Sequence, residues 1–144
     1  MSTVRIERAH LSQIAELEAL CFSEPWSEKS LELLLGESAT GFVCVSEERV
    51  LAYGGMLIAP DEGQITNVAV HPDARREGLG RSVVDALIEE ARARGLEQVS
   101  LEVRVSNLAA IALYERAGFT VEGKRKNFYR RPTEDALIML KSIQ

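Results

Sequence analysis

The sequence predicts an α/β fold of the mixed α+β type, a mostly antiparallel sheet of about seven strands flanked by about four helices. Three observations predict it. Two apolar runs, Gly41–Ser46 and Arg49–Ile58, meet across a tight turn, and a third, Gln64–Val70, follows the turn at Pro60–Gly63, as in an antiparallel run of three. The segment Leu79–Arg94 then places Leu79, Val83, Val84, Leu87, Ile88 and Ala91 on one helical face, with Gly95 as its stop. Val99–Val105 follows with strict alternation, its odd positions apolar and Ser100, Glu102 and Arg104 on the other side, which makes a strand, helix, strand crossover in mid-chain.

The remaining elements follow in order. Val4–Glu7 suits a short strand, and Leu11, Ile14, Ala15, Leu17 and Leu20 recur at helical spacing. A second helix is expected after Pro25 and Trp26, with Ser27 as its cap and Gly36 as its end. Asn107–Ala117 is a further helix ended by Gly118, and Phe119–Gly123 and Ala136–Leu140 supply the last strands.

With 144 residues, the chain fits one domain, 1–144, able to bury about two-thirds of its unfolded surface without metals or disulfides. It is 46% hydrophobic and 27% charged, the composition of an ordinary globular protein. The net charge of −5 disfavours broad binding to nucleic acid and is compatible with a cationic substrate. Basic residues cluster at Arg75, Arg76 and Arg81 and again at Lys124, Arg125, Lys126, Arg130 and Arg131, where a local anion could bind, although a solvated charged face is the more common explanation. Cys21 and Cys44 form no close pair, and His10 and His71 are too few and too far apart for a metal site. The first ten residues carry no apolar run, and no uncharged stretch approaches the ~18 residues of a membrane span, so a cytoplasmic protein free of membranes is expected.

Arg75-Arg76-Glu77-Gly78-Leu79-Gly80-Arg81 lies between a strand and a helix start. Glycines there let a ligand reach the backbone, first-turn N–H groups lack intrahelical partners, and the helix dipole favours an anion. An ordinary glycine-containing turn has the same spacing. A P-loop needs Gly-Lys-Ser or Gly-Lys-Thr, but Arg81 follows Gly80; a Rossmann fingerprint needs glycines directly after the strand and a small residue where Val83 stands. The pattern Arg/Gln-x-x-Gly-x-Gly/Ala is met by Arg75, Gly78 and Gly80.

With that pattern the chain resembles the GNAT N-acetyltransferases. The resemblance continues in family order through Asn67-Val68-Ala69-Val70-His71-Pro72, Leu101-Glu102-Val103-Arg104, Ser106-Asn107 and Ala112-Leu113-Tyr114-Glu115-Arg116-Ala117-Gly118-Phe119. Within the family, Pro25-Trp26-Ser27-Glu28-Lys29, Leu101–Asn107, Ala109–Glu115, Asn127-Phe128-Tyr129 and Glu134–Met139 are most similar to ribosomal protein alanine N-acetyltransferases of the RimI type. The segment between Tyr129 and Glu134 is short beside the family pattern.

The resemblance implies acetyl-CoA as cosubstrate and no metal. The backbone of Val68, Ala69 and Val70 would pair with the pantetheine arm as an added strand. Arg76, Glu77, Gly78, Leu79, Gly80 and Arg81 would cradle the pyrophosphate, and Asn107 would touch the cofactor, although its spacing suits a helix N-cap equally. Glu102 would act as general base and Tyr114 as general acid, which amine attack on a thioester requires; a solvent-facing Glu and a core Tyr fit the same periodicities. The implied acceptor is the N-terminal alanine of protein eighteen of the small ribosomal subunit. A small-molecule amine acetyltransferase and a non-catalytic acyl-CoA-binding module are the alternatives.

Overall fold

A computed structural model describes residues 1–143; Gln144 lies outside the described residues. The strands are β1 (Ser2–Arg5), β2 (Ala39–Ser46), β3 (Arg49–Ile58), β4 (Glu62–Val70), β5 (Gln98–Arg104), β6 (Thr120–Tyr129) and β7 (Glu134–Ser142). They form one sheet in the order β1-β2-β3-β4-β5-β7-β6, antiparallel throughout except for the β4–β5 pair. The helices are α1 (Leu11–Cys21), α2 (Glu28–Leu31), α3 (Leu79–Ala93) and α4 (Leu108–Arg116), with three short 3-10 turns. The expected architecture is therefore present.

Alternation along the strands divides the core between the two sheet faces. Met56, Ile65, Val99, Leu101 and Met139 pack with Val83, Val84 and Leu87 of α3 and with Tyr114 of α4. Val43, Tyr53 and Ala69 pack on the other face with Leu11, Ile14 and Leu17 of α1 and with Leu31 and Leu34. Both helical layers approach closely at Gly54-Gly55: a Cβ on Gly54 would lie 2.4 Å from Val83 Cγ1, and one on Gly55 2.8 Å from Leu34 Cδ1.

Several boundaries differ from expectation. β1 both starts and ends two residues earlier, because Glu7 is the N-cap of a 3-10 turn, Arg8–His10, that stops the extended run. Leu20, expected on the buried face of α1, is exposed, and Glu18 is fully buried instead. The helix expected from Ser27 to Gly36 is α2 followed by a 3-10 turn, Glu32–Leu35, with Ser27 capping as expected. β6 extends six residues past Gly123, through a polar stretch without alternation, because it is an edge strand whose ladder to β7 needs no apolar face.

What positions the site is a split in the sheet. β4 and β5 pair only at Glu62–Gln98, Gly63–Val99 and Gln64–Ser100. Beyond that point the β3–β4 register shifts, from Gly54–Val68 to Met56–Ile65, so that Thr66 and Asn67 stand opposite the single Gly55. Such a bulge bends its strand. Here β4 turns away while β5 continues on β7 as far as Arg104.

Candidate active site

The backbone of β4 past the bulge defines one wall of the split. His71 N donates to Leu51 O, and Ala52 faces Val70 across the ladder. Antiparallel alternation then turns the N–H and C=O groups of Val68 and Val70 toward the β5 side, while those of Ala69 pair with Tyr53. Val70 O is already occupied, accepting from Arg75 Nε at 3.2 Å and from Cys21 Sγ at 3.6 Å. Both groups of Val68 and the N–H of Val70 have no ladder partner. Of the three residues expected to pair with an added strand, Val68 and Val70 have the geometry; Ala69 contributes a buried methyl group.

The split runs to the start of α3. Here Arg76 and Gly78 take left-handed backbone conformations, φ 68° and 79°, and no side chain caps the helix. α2 and α4 are both capped by side chains. The first helical donor is Ser82 N, to Gly78 O, so the amides of Leu79, Gly80 and Arg81 have no intrahelical acceptor. Gly80 is buried, and a Cβ there would meet Leu113 Cδ2 at 3.2 Å and Val70 Cγ2 at 3.4 Å. Its small size therefore lets α4 and β4 close on the first turn of α3. Arg81 pairs with Asp85 at 2.9 Å, and Arg76 and Glu77 are exposed.

Asn107 caps α4, accepting from Ala110 N at 3.2 Å. That occupies Oδ1 and leaves its amide nitrogen without a hydrogen-bond partner among the described residues. Two turns along, Tyr114 is buried against Phe119, ring centroids 5.8 Å apart, and its hydroxyl makes no hydrogen bond to a described residue. Burial raises its pKa far above the ordinary tyrosine value, and nearby Tyr129 adds to the shift. This phenol stays protonated at every physiological pH.

Glu102 projects from β5 to the face covered by α1 and α2, as its alternation predicts. Its Oε1 accepts from Gln64 Nε2 at 3.0 Å, and its Oε2 lies 2.9 Å from Arg125 Nη1 without the alignment of a hydrogen bond. With Glu62, Ser100 and Ile138 these side chains line a cleft of about 220 Å³. Glu102 also helps push the Tyr129 pKa up to about 12, behind desolvation of the ring.

Tyr129 and Arg104 are site components absent from the sequence-based set. The Arg104 guanidinium sits 4.5 Å from the Tyr129 ring centroid, donates to the carbonyls of Arg130 and Pro132, and pairs with Glu134 at 3.1 Å. It also donates to Ser23 Oγ at 3.3 Å in the α1–α2 loop, where Glu24 accepts from Arg130 N. The loop and the β6–β7 hairpin thus close around the end of β5. The signal available in sequence was Arg104 itself, one alternation step from Glu102 on the same face.

Residues 11–119 match the acetyltransferase (GNAT) family. The chain is 39% identical over 144 residues to [ribosomal protein bS18]-alanine N-acetyltransferase of Escherichia coli strain K12, covering 96% of each protein. It is 37% identical over 135 residues to the putative [ribosomal protein bS18]-alanine N-acetyltransferase of Bacillus subtilis strain 168, covering 92% of this chain and 89% of that one. Among solved structures, the ribosomal-protein-S18-alanine N-acetyltransferase from Escherichia coli superposes with a TM-score of 0.92 at 36% identity, over 99% of this chain and 94% of the other.

Proposed function

The chain belongs to the GNAT acetyltransferase family and is an acetyl-CoA-dependent N-acetyltransferase, and from this premise we propose that its acceptor is the N-terminal alanine α-amine of ribosomal protein S18. The relatives named for that reaction cover 96% and 92% of the chain. The observation that carries the residue assignment is the split sheet. Unpaired backbone on β4 leads to uncapped amides at α3, and Glu102 opens to the opposite face of the sheet from the helix bearing Tyr114.

The residues present fit acetyl-CoA, which supplies an activated acetyl thioester. Val68 and Val70 offer the donors and acceptor that an amide-bearing arm takes as an extra strand. The amides of Leu79, Gly80 and Arg81, with the positive end of α3 and the side chains of Arg76 and Arg81, suit a pyrophosphate. Glu77 and Gly78 shape that turn, and Asn107 has its free amide nitrogen at the start of α4. Glu102 accepts the proton that the acceptor amine must lose, and Tyr114, kept neutral by burial, holds the proton that a departing thiolate needs. Arg125 at Glu102 is exposed enough to be displaced by the incoming ammonium.

One carboxylate base suits an α-amine. Its reference pKa is about 8 against about 10.4 for lysine, so deprotonating lysine at neutral pH costs roughly 3 kcal/mol more. The deciding experiment offers labelled acetyl-CoA to an alanine-led S18 peptide, the same peptide with a blocked N-terminus, and polyamines, and locates the label by mass spectrometry. Multiple turnovers on the alanine nitrogen are expected. Preferential labelling of polyamines overturns the acceptor assignment, and labelling of the blocked peptide on lysine overturns the argument from the α-amine.

A further inference from the structure

Glu18 stands on the apolar face of α1, fully buried, and no ion pair among the described residues reaches it. Burying a carboxylate without a counter-ion is costly, and hydrogen bonds from well-placed donors offset that cost. Its donors come from three separate segments. Trp26 N in the α1–α2 loop donates to Oε1 at 2.9 Å. Asn67 Nδ2, in the β4 bulge, lies 2.9 Å from Oε2 and 3.2 Å from Oε1. The Tyr53 hydroxyl of β3 donates to Oε2, and its own pKa is raised, first by burial and then by Glu18. An apolar side chain at position 18 would fill the same space but could bind none of these groups.

Two of the three donors belong to segments that flank the split in the sheet. Asn67 belongs to the bulge that opens the sheet at Val68, and Trp26 closes the loop whose other end, Ser23 and Glu24, is tied to Arg104 and Arg130. We propose that Glu18 is a positioning residue for the acceptor, holding the backbone of the Trp26 loop in register with the β4 bulge so that the amine arrives in line with the acetyl site. This rests on the acceptor reading above. Glu18 itself touches neither cosubstrate nor acceptor and acts through Trp26 and Asn67.

The test compares Glu18→Gln with Tyr53→Phe. Gln preserves shape but turns an amide N–H₂ toward donors, which breaks the loop-to-bulge link; Phe removes a donor of the same carboxylate and leaves that link intact. Trp26 is the only tryptophan in the chain, so intrinsic fluorescence reports this loop alone. For Glu18→Gln the expected results are a KM for the alanine-led peptide raised about tenfold, acetyl-CoA affinity within about threefold of wild type, and red-shifted Trp26 emission. Tyr53→Phe should lower Tm while leaving peptide KM and emission unchanged. A folded Glu18→Gln protein with wild-type peptide KM and emission overturns the proposal, as do equal changes in both variants. Hydrogen exchange of the wild-type protein needs no variant: the Trp26 amide should exchange at least about tenfold more slowly than that of Ser27, and equal rates overturn the anchor. If the wild-type enzyme is inactive on the peptide, the acceptor reading fails by itself, and emission and exchange still decide whether Glu18 holds the loop.

Discussion

At the residue scale, the proposed chemistry rests on two groups held in contrasting surroundings. Tyr114 is buried beside Phe119 with a hydroxyl that has no partner among the described residues and a raised pKa, the state required of a proton donor. Tyr114→Phe should lower kcat about a hundredfold and leave acetyl-CoA affinity near wild type, since the ring and its packing remain. Steady-state rates beside direct binding measurements check this, and unchanged turnover removes Tyr114 as the acid. Glu102 lies mostly buried against its cleft, bonded through Oε1 to Gln64 and with Oε2 beside Arg125. Glu102→Gln should lower kcat/KM and alter the acid limb of its pH profile, while a profile identical to wild type assigns the base elsewhere. Alternation in the sequence put Glu102 on the polar face of its strand, but which cation meets it depends on the β6–β7 pairing, a contact between residues far apart in the chain.

At the element scale, the long-range features were the least legible. The helical period of α3 and the alternation of β5 are local, and both elements lie within a residue of their expected bounds. The polar half of β6 has no local signature, because an edge strand is specified by its partner. Glu18 inverts the usual rule for the face of α1, and only the meeting of Trp26, Tyr53 and Asn67 explains it. The Gly54-Gly55 pair is also a tertiary device. Gly54→Ala sets a methyl group against Val83 and Leu87, both fully buried, and should cost about 1–3 kcal/mol by overpacking; denaturant unfolding measures it, and a neutral result would mean that α3 retreats from β3 freely. The hairpin tip has its own pH dependence. Bonding to Ser106 and Arg104 lowers the Glu134 pKa, and the Asn127 amide and Lys124 lower that of Asp135. Carboxylates depressed in the folded state contribute fully above their unfolded values and lose that contribution as pH falls through the folded ones. Amide protection at 124–135, relative to intrinsic exchange at the same pH, should therefore fall below about pH 4, ahead of protection in α3.

At the scale of the whole molecule, the sheet is divided at the place where the proposed cosubstrate site lies. Strands β1–β4 and β5–β7 share only three residue pairs, and beyond Gln64 and Ser100 their connection passes through α3, α4 and the side chains between them. A ligand that lies along Val68 and Val70 and ends on the first turn of α3 restores continuity between the halves, so its binding energy should appear as global stability. At about a hundred times its Kd, acetyl-CoA should add about 2.7 kcal/mol, roughly 5–10 °C in Tm for a protein of this size. Gly80→Leu should abolish most of that shift, because the new side chain displaces Leu113 and Val70 from the turn proposed to hold the ligand's anionic end. Glu102→Gln should retain the full shift, since its carboxylate lies on the opposite face of the sheet from α3. Thermal scans of the three proteins with and without acetyl-CoA separate the donor side of the split from the acceptor side. An undiminished shift in Gly80→Leu would move the pyrophosphate away from α3, and a shift lost in Glu102→Gln would mean that the two sides form one binding unit.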